Sequence, residues 1–528
     1  MKKHLVPLLC LFGTLPTWLQ AQTASPSLDQ RFNETLQPIA DQIFYTVMTP
    51  IQFSEDLSVP IVLIVLLLGA TYFTVYFGFP NFTKFRLAID VVRGKYKSVR
   101  SSSQASNVID GDDPVTIRKE GVAGEVTPFQ ALTAALSATV GLGNIGSVAI
   151  AIATGGPGAT FWMIMAGLLG MASKFTECTL GVHYREIGPD GTVYGGPMYY
   201  LSKGFKEKGW AKLGKAFAVF YAIMLVGGSF GGGNMFQSNQ AAAQFLSLFD
   251  QAPGYAGFGF GLVIAGLIAI VIIGGIKRIG AVTERIVPFM VVIYLLSALI
   301  LLFANAAAIP AAFGQIIAGA FTSEAAVGGF IGVLIIGFQR AAFSNEAGVG
   351  SASVAHSAVK TDFAASEGIV ALLEPFIDTV VVCTMTALVI IVGNIDGSLL
   401  TYGNTDGLNG VNLTSAAFDS AIPNFSYILT IAILLFAFST MLSWSYYGLQ
   451  AWKYLFGKGV VADRVYKVLF CLFAVIGSAA GLGAVVRFSD AMIFAMIFPN
   501  MIGLIVLAPV VKKEVNRYVA ALRRQERS

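Results

Sequence analysis

Two stretches of this chain place polar groups and glycines inside apolar surroundings, and the chemistry they suggest is ligand capture, without bond making. The first is Thr139-Val140-Gly141-Leu142-Gly143-Asn144-Ile145-Gly146; the second is Gly337-Phe338-Gln339-Arg340-Ala341-Ala342-Phe343-Ser344-Asn345-Glu346-Ala347-Gly348. A glycine inside a helix costs about 1 kcal/mol relative to alanine. Clustered glycines beside polar side chains therefore read as places where a helix opens. Close packing through small residues explains isolated glycines, but not Arg340, Asn345 and Glu346 within an apolar segment. An opened helix presents unpaired amides at one half's N-terminus and unpaired carbonyls at the other half's C-terminus, which favour an anion and a cation respectively. One such site can hold a zwitterion beside a monovalent cation. The amides of Leu142, Gly143 and Asn144 are expected to face a carboxylate, with Asn144 and Thr139 supplying neutral oxygens.

Other residues join the candidate list on spacing. Asn234 and Gln237, at i,i+3 in the glycine-rich run Gly227 to Gln237, would share a helix face and either reach a ligand or bond between helices. Lys174 and Glu177 read as a structural pair. Glu374 and Asp378 at i,i+4 could carry protons, line an ion path, or serve capping and pairing. Arg340 and Glu346 read as gate or structural charges, because a small neutral substrate needs no charged partner. Phe343 and Trp444 could bound a pocket and limit side-chain size. The hydroxyls of Ser439 and Thr440, within Phe436 to Trp444, could ligate a hard cation or bond their own i−4 carbonyls. Catalysis has less to stand on. Cys10, Cys178, Cys383 and Cys471 lack metal-ligand or redox spacing, and His4, His183 and His356 are far apart in sequence. There is no Walker sequence and no nucleophile–base arrangement.

The elements that must position these groups follow from composition. With 55% hydrophobic and 12% charged residues and a mean hydropathy of +0.71, the chain reads as an all-α polytopic membrane protein, since lipid-embedded backbone must satisfy its own hydrogen bonds. Eleven apolar segments are expected, at about 59–79, 127–153, 158–182, 213–246, 257–276, 286–307, 326–356, 368–394, 425–452, 466–484 and 488–511. Residues 1–21 resemble a signal peptide, with Lys2 and Lys3 before a short apolar run, and 22–58 a periplasmic segment. Lys84, Arg86, Arg93, Lys95, Lys97, Arg100, Arg118 and Lys119 make 80–126 a basic cytoplasmic loop, whereas Asn394 to Asn424 lacks Lys and Arg. This predicts a periplasmic N-terminus and a cytoplasmic tail over 512–528, in a bacterial inner membrane. Setting aside the first span, the others divide into repeats over 127–307 and 326–511, each opened by an interrupted segment. Five spans per repeat invert its orientation, the pattern of transporters that bind substrate where broken helices meet. A channel would need a continuous polar pore instead, and a receptor would usually carry a soluble output domain.

Gly141-Leu142-Gly143-Asn144-Ile145, Gly155-Gly156-Pro157-Gly158-Ala159 with Phe161-Trp162-Met163, and Ser344-Asn345-Glu346-Ala347-Gly348-Val349-Gly350-Ser351 with Ala355-His356 together resemble the alanine or glycine:cation symporter family. The likeness spans about residues 57 to 511. It implies a fold similar to the neurotransmitter:sodium symporters (LeuT-like): one extra N-terminal helix, then a 5+5 inverted repeat with two discontinuous helices. It implies sodium-coupled uptake of alanine or glycine by alternating access, with sodium as coupling ion and no other cofactor. Substrate contacts would come from Thr139, Leu142, Gly143, Asn144, Asn234, Gln237, Gly337, Phe343 and Trp444, and sodium contacts from Ser137, Val140, Ala437, Ser439 and Thr440. The partners implied are the small amino acid, sodium and membrane lipid, with neither nucleic acid nor an obligatory protein partner. One departure is Ser353, where many relatives have proline after Gly-Ser-Ala.

Overall fold

The computed structural model describes residues 28–54, 57–96, 124–189, 191–249, 253–321, 329–403 and 410–525. The signal-like 1–21 and much of the basic loop, including Lys97, Arg100, Arg118 and Lys119, lie outside them. The described chain is mostly helical, with two small antiparallel ribbons, Pro50–Ser54 with Leu57–Pro60 and Glu186–Ile187 with Val193–Tyr194.

Helix α1 (Leu28–Val47) precedes the first ribbon, and Asp41 on it pairs with Arg487 at 2.5 Å. Helix α2 (Ile61–Tyr76) follows, ended by Gly78 and Phe79 at φ of 67° and 55°. At 16 residues it is about 24 Å long, shorter than the expected span because Pro60 still belongs to the ribbon and the left-handed pair closes it early. Helix α3 (Pro128–Thr139) starts on a reciprocal cap: the Gln130 amide donates to Thr127 Oγ1 at 3.2 Å while the Thr127 amide donates to Gln130 Oε1 at 3.1 Å. Pro128, at the first helical position, gives up no intrahelical bond. Helix α4 (Gly143–Gly155) continues from α3 after a bend of 44°.

Then come α5 (Ala159–His183), the short α6 (Pro197–Glu207), α7 (Ala211–Leu246), α8 (Ala256–Ile272), α9 (Gly275–Ala304) and α10 (Ala306–Phe321). The second half holds α11 (Gly329–Asn345), the short α12 (Ser353–Ser357), α13 (Ala364–Gly393), α14 (Gly410–Ala421), α15 (Ser426–Phe456), α16 (Val460–Ala479) and α17 (Leu482–Gln525). Helix α17 continues through Pro499 and Pro509 into the basic tail; 44 residues are about 66 Å, well beyond the roughly 30 Å hydrocarbon core.

Five of these helices are long and apolar enough to cross a membrane, or six if α3 and α4 count as one bent span; α2, α8 and α10 are shorter apolar helices. Large apolar side chains face outward on several of them, with Phe303 74%, Ile431 58% and Phe289 59% exposed. Buried polar side chains collect inside: Lys174, Glu177, Asn144, Ser137, His356, Glu374 and Asp378 are all 0% exposed. Apolar outside with polar inside is the reverse of a soluble protein's arrangement and is what a bilayer demands.

Candidate substrate and ion site

The first break lies between α3 and α4. Val140 leaves helical geometry at φ −77° and ψ 83°, and the chain resumes through a wide π turn over Gly143–Ser147. The second break lies at the C-terminal end of its motif. Helix α11 runs unbroken through Gly337 to Asn345, and the chain then turns on Glu346, Gly348 and Gly350 at φ of 56°, 89° and 94°. Ser353, the departure from proline, opens α12 with its hydroxyl on the Gly350 carbonyl at 2.7 Å.

A small cavity lies at the two breaks, lined among others by Thr139, Gly143, Gln237, Phe343, Ser344, Glu346 and Trp444. Small residues bring its walls close. A Cβ on Gly143 would stand 3.2 Å from Ser344 Cα, and one on Gly233 2.2 Å from Trp444 Cγ. Phe236 meets Phe343 edge to face at 5.2 Å between centroids. Thr139 points its hydroxyl back to Ala135 and Leu136 carbonyls at 3.3 and 3.4 Å, so oxygen lone pairs remain for a donor.

Of the expected substrate residues, Thr139, Gly143, Gln237, Phe343 and Trp444 meet at this cavity. Leu142 stands behind the wall, its amide already donating to Gln237 Oε1 at 3.1 Å. Asn144 is committed to the framework: its Oδ1 accepts the Gly141 amide at 2.8 Å and its Nδ2 donates to Asp378 Oδ1 at 2.6 Å. Asn234 turns away and donates to the Phe470 carbonyl on α16 at 2.6 Å. This is the bond between helices that its position allowed, and the wide π turn at Gly231–Met235 departs from the 3.6-residue spacing on which a shared face with Gln237 rests. Gly337 packs against α5, where a Cβ would sit 2.6 Å from Trp162 Cβ and 2.8 Å from the Ala159 carbonyl; close packing accounts for this glycine.

The expected ion residues form a second focus, where α3 meets α15. Thr440 Oγ1 donates to the Ser137 carbonyl at 2.8 Å, and Ser137 Oγ donates to the Ser439 carbonyl at 2.6 Å. Gly141 lets Thr440 approach, since a Cβ there would lie 2.2 Å from Thr440 Oγ1. Ser439 Oγ bonds the Phe436 carbonyl of its own helix at 3.1 Å and the Met290 sulfur at 3.4 Å. Val140 terminates α3 one turn beyond, and Ala437 is buried on α15.

Three arrangements escaped the sequence. Asp378 joins both broken helices, accepting from Asn144 and from Ser344 Oγ at 3.0 Å; its partners lie 234 and 34 residues away, so no local spacing betrays them. Glu374, its i,i+4 neighbour, instead accepts the Lys174 ion pair at 3.5 Å and bonds His356 Nε2, whose Nδ1 meets Glu367 at 2.6 Å. Lys174 therefore pairs across to α13 and not with Glu177, which accepts from Asn500 on α17 at 3.1 Å. Cys178, His356 and Glu374 bring potential ligand atoms within 4.8 Å of one another, but both imidazole nitrogens are engaged by carboxylates and an ammonium borders Glu374. Arg340 pairs with Asp490 on α17 and lies over the Phe343 ring at 5.4 Å.

The profile of the family described as the sodium:alanine symporter family matches residues 45–528. The sodium/alanine symporter AgcS of Methanococcus maripaludis is 44% identical over 75% of this chain and 84% of its own length. The probable sodium/glutamine symporter GlnT of Bacillus subtilis is 33% identical over 88% of this chain and 89% of its own. These relatives bear the names of transporters, not enzymes. In fold the chain is similar to MhsT, solved in complex with L-phenylalanine, at a TM-score of 0.51 and 15% identity, covering 76% of this chain and 100% of that one. A multi-pass membrane protein with two broken helices at a small polar cavity, carrying this sequence, belongs to the sodium:alanine symporter family, whose business is cation-coupled amino acid symport.

Proposed function

We propose that this protein imports a small neutral amino acid, alanine or glycine, together with sodium, by alternating access across a bacterial inner membrane. The observation that carries the reading is the convergence of Thr139, Gly143, Gln237, Phe343 and Trp444 on one cavity at two helix breaks. Phe343 and Trp444 in the lining support a small substrate, because two large aromatic side chains leave little room for a long one. Sodium belongs beside it, at Ser137, Val140, Ala437, Ser439 and Thr440, where hydroxyl and carbonyl oxygens suit a hard cation. In the proposed topology α2 stands before a 5+5 inverted repeat, the breaks at α3/α4 and α11/α12 opening its halves, for eleven crossings in all.

Labelled alanine in proteoliposomes tests the function: a sodium gradient should drive accumulation, and unlabelled alanine on the far side should drive counterflow. Alanine flux indifferent to sodium and lacking saturation would place the protein among channels. The topology makes a separate prediction. A single cysteine at position 95, replacing the exposed Lys95, should resist a membrane-impermeant maleimide in intact spheroplasts, whereas one at Ser398 should react. Labelling of position 95 from outside would overturn the cytoplasmic placement of the basic loop.

A further inference from the structure

We propose that Glu346 supplies the counter-charge for the substrate's ammonium group, making the site select α-amino acids by a fixed carboxylate as well as by backbone amides. This rests on the reading that the cavity holds an amino acid.

Glu346 is the one carboxylate among the residues lining the cavity. It is 1% exposed and stands at φ 56°, a left-handed backbone that a non-glycine residue adopts at a cost of about 1–3 kcal/mol. Such a conformation persists only where the surroundings fix it, and here they fix the carboxylate itself. The Trp444 indole donates to Oε1 at 3.0 Å and Ser351 Oγ donates to Oε2. Both donors are neutral. Among the described residues no Lys, Arg or His lies within ion-pair distance of Glu346: Lys174 pairs with Glu374 and acts on Glu346 only from farther away, and Arg340 pairs with Asp490. A buried carboxylate held by two neutral donors is electrostatically incomplete. An ammonium entering the cavity completes it, and the facing wall, with Gly143 at the start of α4, is left for the carboxylate end of the zwitterion.

The arrangement also bears on what is refused. A site whose buried groups are built to bond a substrate's N–H leaves them unpaired when the analogue lacks it, which discriminates far more strongly than a missing methylene. An α-hydroxy acid of alanine's size offers a single neutral O–H in place of the ammonium and carries a net negative charge beside Glu346, so it should bind far more weakly.

The test compares equilibrium alanine binding by purified wild-type, Glu346→Gln and Glu346→Asp protein at saturating sodium, together with sodium-22 binding without alanine. Glutamine keeps an acceptor for Trp444 and a polar partner for Ser351, so a merely structural role would survive it; the charge does not. The expected result is an alanine Kd raised about 10- to 100-fold in Glu346→Gln, the range for losing a charge-assisted hydrogen bond. Glu346→Asp should lose less, and sodium binding should stay near wild type in both. Alanine affinity within about twofold of wild type in Glu346→Gln overturns the inference, as does a loss of sodium binding in the absence of alanine, which would make Glu346 part of the ion path. Failure of the wild-type protein to bind any small neutral amino acid would bring down the proposed function and this inference together.

Discussion

Gly143→Leu should abolish alanine binding while leaving a folded, membrane-inserted protein. Gly143 lines the cavity, and even a Cβ there would come within 3.2 Å of Ser344 Cα and 3.4 Å of its hydroxyl. Leucine adds three further carbons, which must either fill the small cavity or force the two broken helices apart. Overpacking costs roughly 1–3 kcal/mol, and where the occupied volume is the ligand's own, loss of affinity should exceed about a hundredfold. The remainder of the fold does not depend on this position, because α3 and α4 are held by the Thr127 cap, by Asn144 on Asp378 and by Thr440 on Ser137. Detergent-extracted variant should elute as a monodisperse peak yet show no sodium-dependent alanine binding. Gly143→Ala, whose single methyl meets contacts of 3.2 to 3.5 Å, should fall between. Normal uptake by well-expressed Gly143→Leu would remove the first break from the substrate site.

The contrast between the two breaks shows what a sequence of this kind discloses. Glycines beside asparagine and threonine marked the first break in register, because the opening occupies the motif itself and Val140 is where α3 ends. In the second motif only the far end opens. Gly337 and Gly348 are both glycines in one polar run, but Gly337 is there to let α11 lie against Trp162, whereas the left-handed angles fall on Glu346, Gly348 and Gly350. A glycine's role depends on what its missing Cβ would meet, and that partner is 175 residues earlier in the chain. Asn234 takes the second of its two readings, bonding between helices to the Phe470 carbonyl. Helical phase counted from Gln237 is valid only across regular α-helix, and the π turn at Gly231–Met235 shifts it.

Charged residues were legible in type and illegible in pairing. Lys174 and Glu177 look like neighbours on one helix, yet in a bundle of long buried helices the lateral neighbour competes with the local one, and Glu374 on α13 wins. Asp378 was visible as an intramembrane carboxylate, and its position between Asn144 and Ser344 makes it the residue through which the two discontinuous helices are tied together. Asn345, bonding Thr379 at 2.8 Å, adds a second tie to the same stretch of α13. Both breaks are thereby bonded to the same stretch of α13.

The ion focus yields the second large effect, and here the hydroxyl pair divides. Ser439 follows the bland course, its hydroxyl returning to Phe436 of its own helix at 3.1 Å, while Thr440 reaches across to the Ser137 carbonyl at 2.8 Å. A sodium ion held at these oxygens would draw on Thr440 Oγ1 and the Ser137 carbonyl, and Ser439 would contribute mainly through its carbonyl, which already receives Ser137 Oγ at 2.6 Å. Thr440→Ala should then raise the sodium concentration for half-maximal alanine uptake by roughly tenfold or more, within the 5- to 150-fold span of typical coupling energies, and lower alanine affinity at fixed sodium in step, since coupling between two ligands is reciprocal. Ser439→Ala should do markedly less. A purely structural hydroxyl predicts something different: losing one hydrogen bond costs about 0.5–1.5 kcal/mol of stability, reduces the amount of folded protein, and leaves the sodium dependence of what remains unchanged. Excess sodium therefore separates the two, restoring transport in Thr440→Ala only if the lost oxygen was an ion ligand. Uptake curves against sodium that superimpose for wild type, Thr440→Ala and Ser439→Ala after correction for protein amount would place the ion elsewhere than the junction of α3 and α15.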